Sequence, residues 1–250
     1  MALTRILDPS EERLVAEERG ALAELRLGLE RIELTEEDAA SFDGSIRQLD
    51  ELFLLVVAGE FNAGKSAFIN ALLGRTLLEE GVTPTTQRIT LIEHGAEERR
   101  EKRSEIFESI HAPIDVLESV NIVDTPGTNA IHREHEAITR DFVPRSDMVL
   151  FVTSADRPFT ESERAFLEGI RDWGKKVVVV VNKIDILDTS EAIDEVVDFV
   201  RVNATKLLSS EPEIFPVSSR QALKGKTGED ASLFEQSRFG ALEDYVVRTL

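Results

Sequence analysis

Residues Leu52–Ala58 read LFLLVVA, and Gly59–Ser66 continue as GEFNAGKS. The first stretch is short and almost wholly apolar, the pattern of a strand buried on both faces. The second has the spacing G-x-x-x-x-G-K-S, and helical periodicity over Lys65–Leu73 follows it. A strand, a glycine-rich turn and a helix in that order suit an oligophosphate. Backbone N–H groups of the turn and helix start surround anionic oxygens, and glycine lets the chain come close. Gly59, Glu60, Phe61, Asn62, Ala63, Gly64, Lys65, Ser66 and Ala67 are therefore the expected phosphate cradle. Lys65 is expected at the β- and γ-phosphates, and the Ser66 hydroxyl at Mg²⁺.

Outward from this unit the same alternation repeats. Apolar runs at Arg88–Glu93, Val120–Val123, Met148–Thr153 and Val177–Val181, with a weaker one at Ile214–Val217, predict further strands. Helical patterns at Glu134–Phe142, Glu161–Trp173 and Ser190–Leu208 lie between them. This predicts an α/β fold of the P-loop type, a mostly parallel central sheet with helices on both faces. Residues 1–50 read as helical: Ser10 offers a cap, Leu14, Leu22, Leu25 and Leu29 recur at helical spacing, and Thr35 opens a second helix toward Leu49. Ser237–Leu250 is an amphipathic helix. The expected division is a helical segment 1–50, a nucleotide domain 51–236 and a C-terminal helix 237–250, the two ends packing together.

Three more motifs add chemistry to the strand ends. Asp124-Thr125-Pro126-Gly127 closes the third run. A carboxylate there sits where ligands bind in open α/β sheets. Asp124 can hold a magnesium-bound water, and the Gly127 N–H can meet a γ-phosphate. Asn182-Lys183-Ile184-Asp185 closes the fifth run. The Asp185 carboxylate can accept from N1–H and N2–H₂ of guanine, which adenine does not offer. Asn182 and the Lys183 stem would help fix the base. Val217-Ser218-Ser219-Arg220 resembles the backbone-mediated guanine contact that lies downstream of such a motif. Between the cradle and Asp124, Thr83, Thr85 and Thr86 are candidates to close on Mg²⁺ and the γ-phosphate, and Thr86, placed just before a strand, is the choice.

The chain has 250 residues, no cysteine and a formal charge of −19. Cysteine-ligated zinc and disulfides are excluded, in keeping with a reducing cytosol. Such a charge repels nucleic acid on average, so no nucleic-acid partner is expected. Arg99, Arg100, Lys102 and Arg103 alternate with glutamates and read as a solvated helix face. No apolar run approaches the ~20 residues of a membrane span, and the N-terminus lacks signal-peptide features.

Beyond the generic motifs the chain resembles the GTPase domain of bacterial dynamin-like proteins, in the dynamin and mitofusin superfamily. The stretches that carry the resemblance are GEFNAGKSAFINALLG, EEGVTPTTQRIT, VNIVDTPGTNA, SADRPFTESERAFLEGI and FGALEDYVVRTL, within residues 50–250. Animal dynamins have a different base-reading motif, and a Gln-Ser pair where this chain has Glu60 and Phe61, which places it nearer the bacterial and mitofusin side. The resemblance implies Mg²⁺-dependent GTP hydrolysis switched on when two domains dimerise across their nucleotides, in service of membrane remodelling or fusion. It implies a cytoplasmic protein, peripheral to a membrane that is contacted through a stalk and tip outside this chain. No glutamine follows Asp124-x-x-Gly127 to orient water. Asn62 occupies the position of a K⁺ or Na⁺ ligand in cation-dependent GTPases, and either does that or stabilises the loop. Lys224 and Lys226, read as a loop, either line the dimer face or are solvated. The rival readings are a translation or ribosome-assembly GTPase, which should bring a basic RNA-binding module, and a GTP-binding scaffold with negligible turnover.

Overall fold

The computed structural model describes residues 6–7, 9–29, 53–80, 88–126, 142–171 and 173–250. Eight strands form one sheet: β1 Phe53–Ala58, β2 Ile89–His94, β3 Arg99–Lys102, β4 Phe107–Ala112, β5 Val120–Asp124, β6 Met148–Ser154, β7 Val177–Asn182 and β8 Glu213–Pro216. Their order is β3-β4-β2-β5-β1-β6-β7-β8. Strand β1 is central and pairs in parallel with β5 and β6, and the parallel run continues to β7 and β8. Strand β2 turns antiparallel to β5 but parallel to β4, and β3 is antiparallel to β4.

The helices among the described residues are α1 Pro9–Leu29, α2 Lys65–Leu73, α3 Glu161–Arg171, α4 Ser190–Leu208, α5 Ser219–Thr227, α6 Ala231–Gln236 and α7 Phe239–Thr249. Side chains alternate across a strand, so each central strand feeds two cores. Leu55 and Val57 face Phe68, Ile69 and Leu72 of α2 and Phe239, Leu242 and Val246 of α7. Leu54, Val56 and Ala58 face Phe166, Leu167 and Ile170 of α3 and Val200 and Ala204 of α4. The sheet is thus covered by helices on both faces, and the uninterrupted apolar run of β1 is the sequence trace of that double burial.

The structure corrects the sequence reading in three places. The basic stretch at Arg99 is the edge strand β3, exposed throughout, and it pairs with β4, which was missed. An edge strand with both faces in water needs no apolar alternation, and charges there discourage sheet-to-sheet association. The segment holding Lys224 and Lys226 is helix α5, followed by α6, where a loop was expected. A Cβ on Gly225 would lie 2.7 Å from the backbone N of Phe234, so this glycine serves close helix packing. Lys226 is consequently buried against Glu243, with neither a solvated head nor a free face to offer a second copy. Helix α1 begins at Pro9, a favoured first helical residue, so Ser10 lies inside its first turn. The second N-terminal helix expected toward Leu49, and most of the one at Glu134–Phe142, lie outside the described residues.

Candidate functional site

Five strand ends define one edge of the sheet. Strand β1 runs into the glycine loop, β5 stops at Asp124, β6 at Ser154, β7 at Asn182 and β8 at Pro216. This is the carboxyl edge, where open α/β sheets bind ligands. Gly59 (φ +150°) lets the loop cross β6, since a Cβ would meet the Val152 carbonyl oxygen at 2.0 Å. Gly64 (φ +87°) caps α2, and a Cβ there would meet Asn182 Nδ2 at 2.4 Å. Both positions require glycine on steric grounds.

Lys65 opens α2, and its ammonium donates to the carbonyl oxygens of Gly59 and Glu60, each at 3.0 Å. Burial lowers its pKa, and the nearby Asp124, Glu163 and Glu60 carboxylates oppose that shift. Asp124 is fully buried at the end of β5. The chain beyond it is fixed because Thr125 donates from both N–H and Oγ1 to the Val57 carbonyl, at 3.3 and 2.9 Å. A buried carboxylate and the Ser66 hydroxyl are hard oxygen donors of the kind Mg²⁺ takes, so the residues present fit that ion.

Asn182 is a strut. Its Nδ2 donates to the Ala63 and Gly64 carbonyls at 3.0 and 3.3 Å. Its Oδ1 accepts from the Lys183 N–H at 2.8 Å and from the Ser219 N–H and hydroxyl at 3.1 and 2.9 Å. The glycine loop, the end of β7 and the start of α5 are therefore bolted together through one amide. Lys183 sits in the left-handed region, φ 65°, which permits the bond from its own N–H. Asp185, 6% exposed, accepts from the Ser218 hydroxyl at 2.7 Å and pairs with Arg220 at 2.8 Å. A carboxylate has about four acceptor positions, so two remain for a ligand.

These parts enclose a cavity of about 360 Å³, within the range of small-molecule sites. Of the residues expected from sequence, Phe61, Asn62, Gly64, Lys65, Ser66, Ala67, Asn182, Lys183, Asp185, Ser219 and Arg220 line it. Ser218 stands behind Asp185 as its hydrogen-bond donor. Glu60 and Ala63 line a smaller cavity that shares Phe61, Asn62 and Lys183 with the main one. Thr86 and Gly127, like Thr83 and Thr85, lie outside the described residues. Two lining residues were missed, Glu80 and Ile186. Glu80 is brought there by fully buried Asn70, whose Nδ2 donates to Glu80 at 3.0 Å while Oδ1 accepts from the Leu77 and Leu78 N–H groups, both at 2.9 Å. The signal was an asparagine inside the apolar run FINALL: a polar group buried at that place must be bonded to something.

The model of the family described as a 50S ribosome-binding GTPase matches residues 54–183, from β1 to the residue after β7. The chain belongs to this GTPase family. The GTPase is 40% identical over 226 residues to the probable transmembrane GTPase FZO-like, chloroplastic, of Arabidopsis thaliana, a match covering 88% of this chain and 25% of that protein. It is 26% identical over 227 residues to dynamin-like protein 2 of Campylobacter jejuni subsp. jejuni, covering 80% of this chain and 35% of the relative. A solved structure from an oligomerised bacterial dynamin pair superposes with a TM-score of 0.69 at 18% identity, covering 97% of this chain and 52% of that one. The GTPase thus spans a quarter to about half the length of these relatives. Its likeness to dynamin-like proteins, first visible in the sequence, stands in both comparisons.

Proposed function

We propose that the chain is the GTP-hydrolysing domain of a dynamin-like protein, active as a homodimer formed across the bound nucleotides and serving membrane remodelling or fusion. The observation that carries this reading is one cavity joining the glycine loop to Asp185, on a chain 40% identical to an FZO-like GTPase. Lys65 neutralises the β- and γ-phosphates, Ser66, Thr86 and Asp124 hold Mg²⁺ directly or through water, and the Gly127 N–H meets the γ-phosphate. Mg²⁺, when bound, neutralises charge developing on the phosphates. Asp185 reads guanine, while Ser218 and Arg220 orient its carboxylate. Segment 1–50 packs with the C-terminal helix. Among the described residues no helix is long and apolar enough to cross a membrane, and membrane contact is assigned to regions outside this chain. The formal charge of −19 speaks against the ribosome-binding alternative, because RNA requires clustered basic surface.

Two outcomes are expected. Asp185→Asn should weaken GTP about 10- to 100-fold, the size of one lost charge-assisted hydrogen bond. It should also favour xanthosine triphosphate, whose 2-oxo group accepts from an amide. Competition binding that shows unchanged GTP preference would remove Asp185 from base reading. Turnover per molecule should rise with protein concentration and should need K⁺ or Na⁺, because exposed Asn62 stands at the loop tip in place of an orienting glutamine. Hydrolysis is to be measured across concentrations in K⁺, Na⁺, Li⁺ and a bulky organic cation at constant ionic strength. Activity flat in concentration sinks the dimer, equal rates in the four salts sink the cation, and negligible turnover throughout favours a GTP-binding scaffold.

A further inference from the structure

Against the glycine loop, sharing Phe61, Asn62 and Lys183 with the main cavity, lies a second cavity of about 20 Å³, walled also by Glu60, Asp156, Arg157 and Glu163. Glu163 is 1% exposed, although a glutamate in the first turn of a helix normally faces water. It belongs to a Thr160-x-x-Glu163 capping box on α3: its Oε2 accepts from the Thr160 N–H at 3.0 Å, and its own N–H donates to Thr160 Oγ1 at 3.4 Å. Capping alone does not require burial. The same oxygen also accepts from the Thr153 hydroxyl of β6 at 3.0 Å, and the carboxylate is hydrogen-bonded by the Glu60 backbone. Next to it the Ser162 hydroxyl donates to the Glu60 carboxylate at 3.3 Å. The first turn of the loop is therefore held from two sides. Lys65 takes the carbonyls of Gly59 and Glu60, and Glu163 takes the N–H between them.

We propose that Glu163 is a positioning residue of the nucleotide site: its buried carboxylate locks the Gly59–Glu60 turn and so sets where Lys65 and the phosphate-binding N–H groups stand. The proposal rests on the reading of the main cavity as a guanine-nucleotide site. The loop cannot slide to compensate, because the Val152 carbonyl lies where a Cβ on Gly59 would be. Burial pushes the Glu163 carboxyl up to about 7, assisted by the charge of Glu60 and opposed by its hydrogen bonds from Thr160, Thr153 and Glu60. The charged groups facing it are Glu60 on the loop, Lys65 on α2, and Asp156, Arg157 and Lys183 around the small cavity. The strength of the lock therefore changes across neutral pH, since an ionised carboxylate holds an N–H about twice as strongly as a neutral group.

The test is the affinity of a fluorescent GDP from pH 6 to pH 8.5 for the parent protein, Glu163→Gln, Glu163→Ala and Lys65→Ala, with melting temperature recorded for each. Glu163→Ala should bind at least tenfold more weakly than the parent at pH 8. Glu163→Gln, which copies the protonated carboxyl, should match the parent within about threefold at pH 6 and fall behind it by tenfold at pH 8.5. Guanine-over-adenine selectivity should be unchanged, because Asp185 is untouched. A constant ratio between the parent and Glu163→Gln across this range overturns the proposal, and so does parent-like binding by a folded Glu163→Ala. If Glu163→Ala does not fold, the Glu163→Gln profile decides alone. Failure of the parent itself to bind guanine nucleotide, or unimpaired binding by Lys65→Ala, would count against the site reading and leave the two ideas distinguishable.

Discussion

Lys65→Ala is expected to reduce GTP turnover by at least about 10²–10³-fold, the cost of deleting one fixed electrostatic contact to a reacting group. The side chain is almost wholly buried, yet it anchors to nothing permanent, since its donors rest on the Gly59 and Glu60 carbonyls of the flanking loop. A lysine held against backbone carbonyls beside the cavity can exchange them for phosphate oxygens at little cost, because it is already desolvated. Burial lowers its pKa, but Asp124, Glu163 and Glu60 hold the proton on. A triphosphate adds further negative charge and strengthens that hold, so the residue acts as a cation. Removing it leaves three carboxylates without their central counter-charge, and a moderate fall in melting temperature should accompany the kinetic loss. Lys65→Met keeps the stem volume and separates packing from charge. Multiple-turnover phosphate release with far-UV circular dichroism checks both, and parent-like turnover in a folded variant would remove Lys65 from catalysis.

Much of the site was legible because its chemistry is local in sequence. Gly59 and Gly64 are fixed by steric contacts that no other residue survives, and Asp124, Asn182 and Asp185 each follow directly on a buried strand. What stayed hidden is how those loops hold one another. Asn182 was read as a help in fixing the base, and the sequence held no sign that its amide also ties the glycine loop to Lys183 and Ser219. Asp185 and Arg220 are 35 positions apart in sequence and ion-paired in space. Glu163 drew no reading of its own within the helical pattern Glu161–Trp173. Its burial depends on Thr153 of the preceding strand and on the glycine loop, which is remote from it along the chain.

The fold shows the same division. Strands β1, β5, β6 and β7 are buried on both faces and announce themselves as apolar runs. Strand β4 buries Ser109, Ile110 and Ala112 among polar neighbours, and β3 buries nothing, so neither rises above its surroundings. Helix α5 carries Gly225 in its last turn, and glycine lowers helix propensity by about 1 kcal/mol. Tertiary contact with α6 overrides that preference, and such a contact is invisible to periodicity.

Lys226→Ala should destabilise the domain by about 3–5 kcal/mol, the range for removing one partner of a buried ion pair. Lys226 on α5 is 3% exposed and pairs with Glu243 of α7, itself 9% exposed. The ammonium also donates to the Ala71 carbonyl at 2.7 Å, in the last turn of α2, where the helix dipole favours a cation. Phe234 and Phe239 present their rings at 5.6 and 5.3 Å. One cation thus ties α2, the helix that begins at Ser219 and the C-terminal helix. Burial lowers the Lys226 pKa and raises that of Glu243, and each is drawn back by the other. Without Lys226 the upward push of burial on the Glu243 carboxyl loses its main opposition. A carboxyl raised in the folded state binds a proton that the unfolded chain releases, so stability falls as pH rises. The deficit of Lys226→Ala should accordingly be smallest near pH 5 and grow toward pH 8. The double substitution Lys226→Met with Glu243→Leu replaces both charges by apolar volume and should recover most of the loss, since such exchanges are often neutral or stabilising. Urea titrations at pH 5 and pH 8 measure the parent, Lys226→Ala and the double variant. A pH-independent deficit would show that the lysine stem's packing carries the stability and the charge pair does not, and a double variant no better than Lys226→Ala would show that apolar volume does not replace the pair.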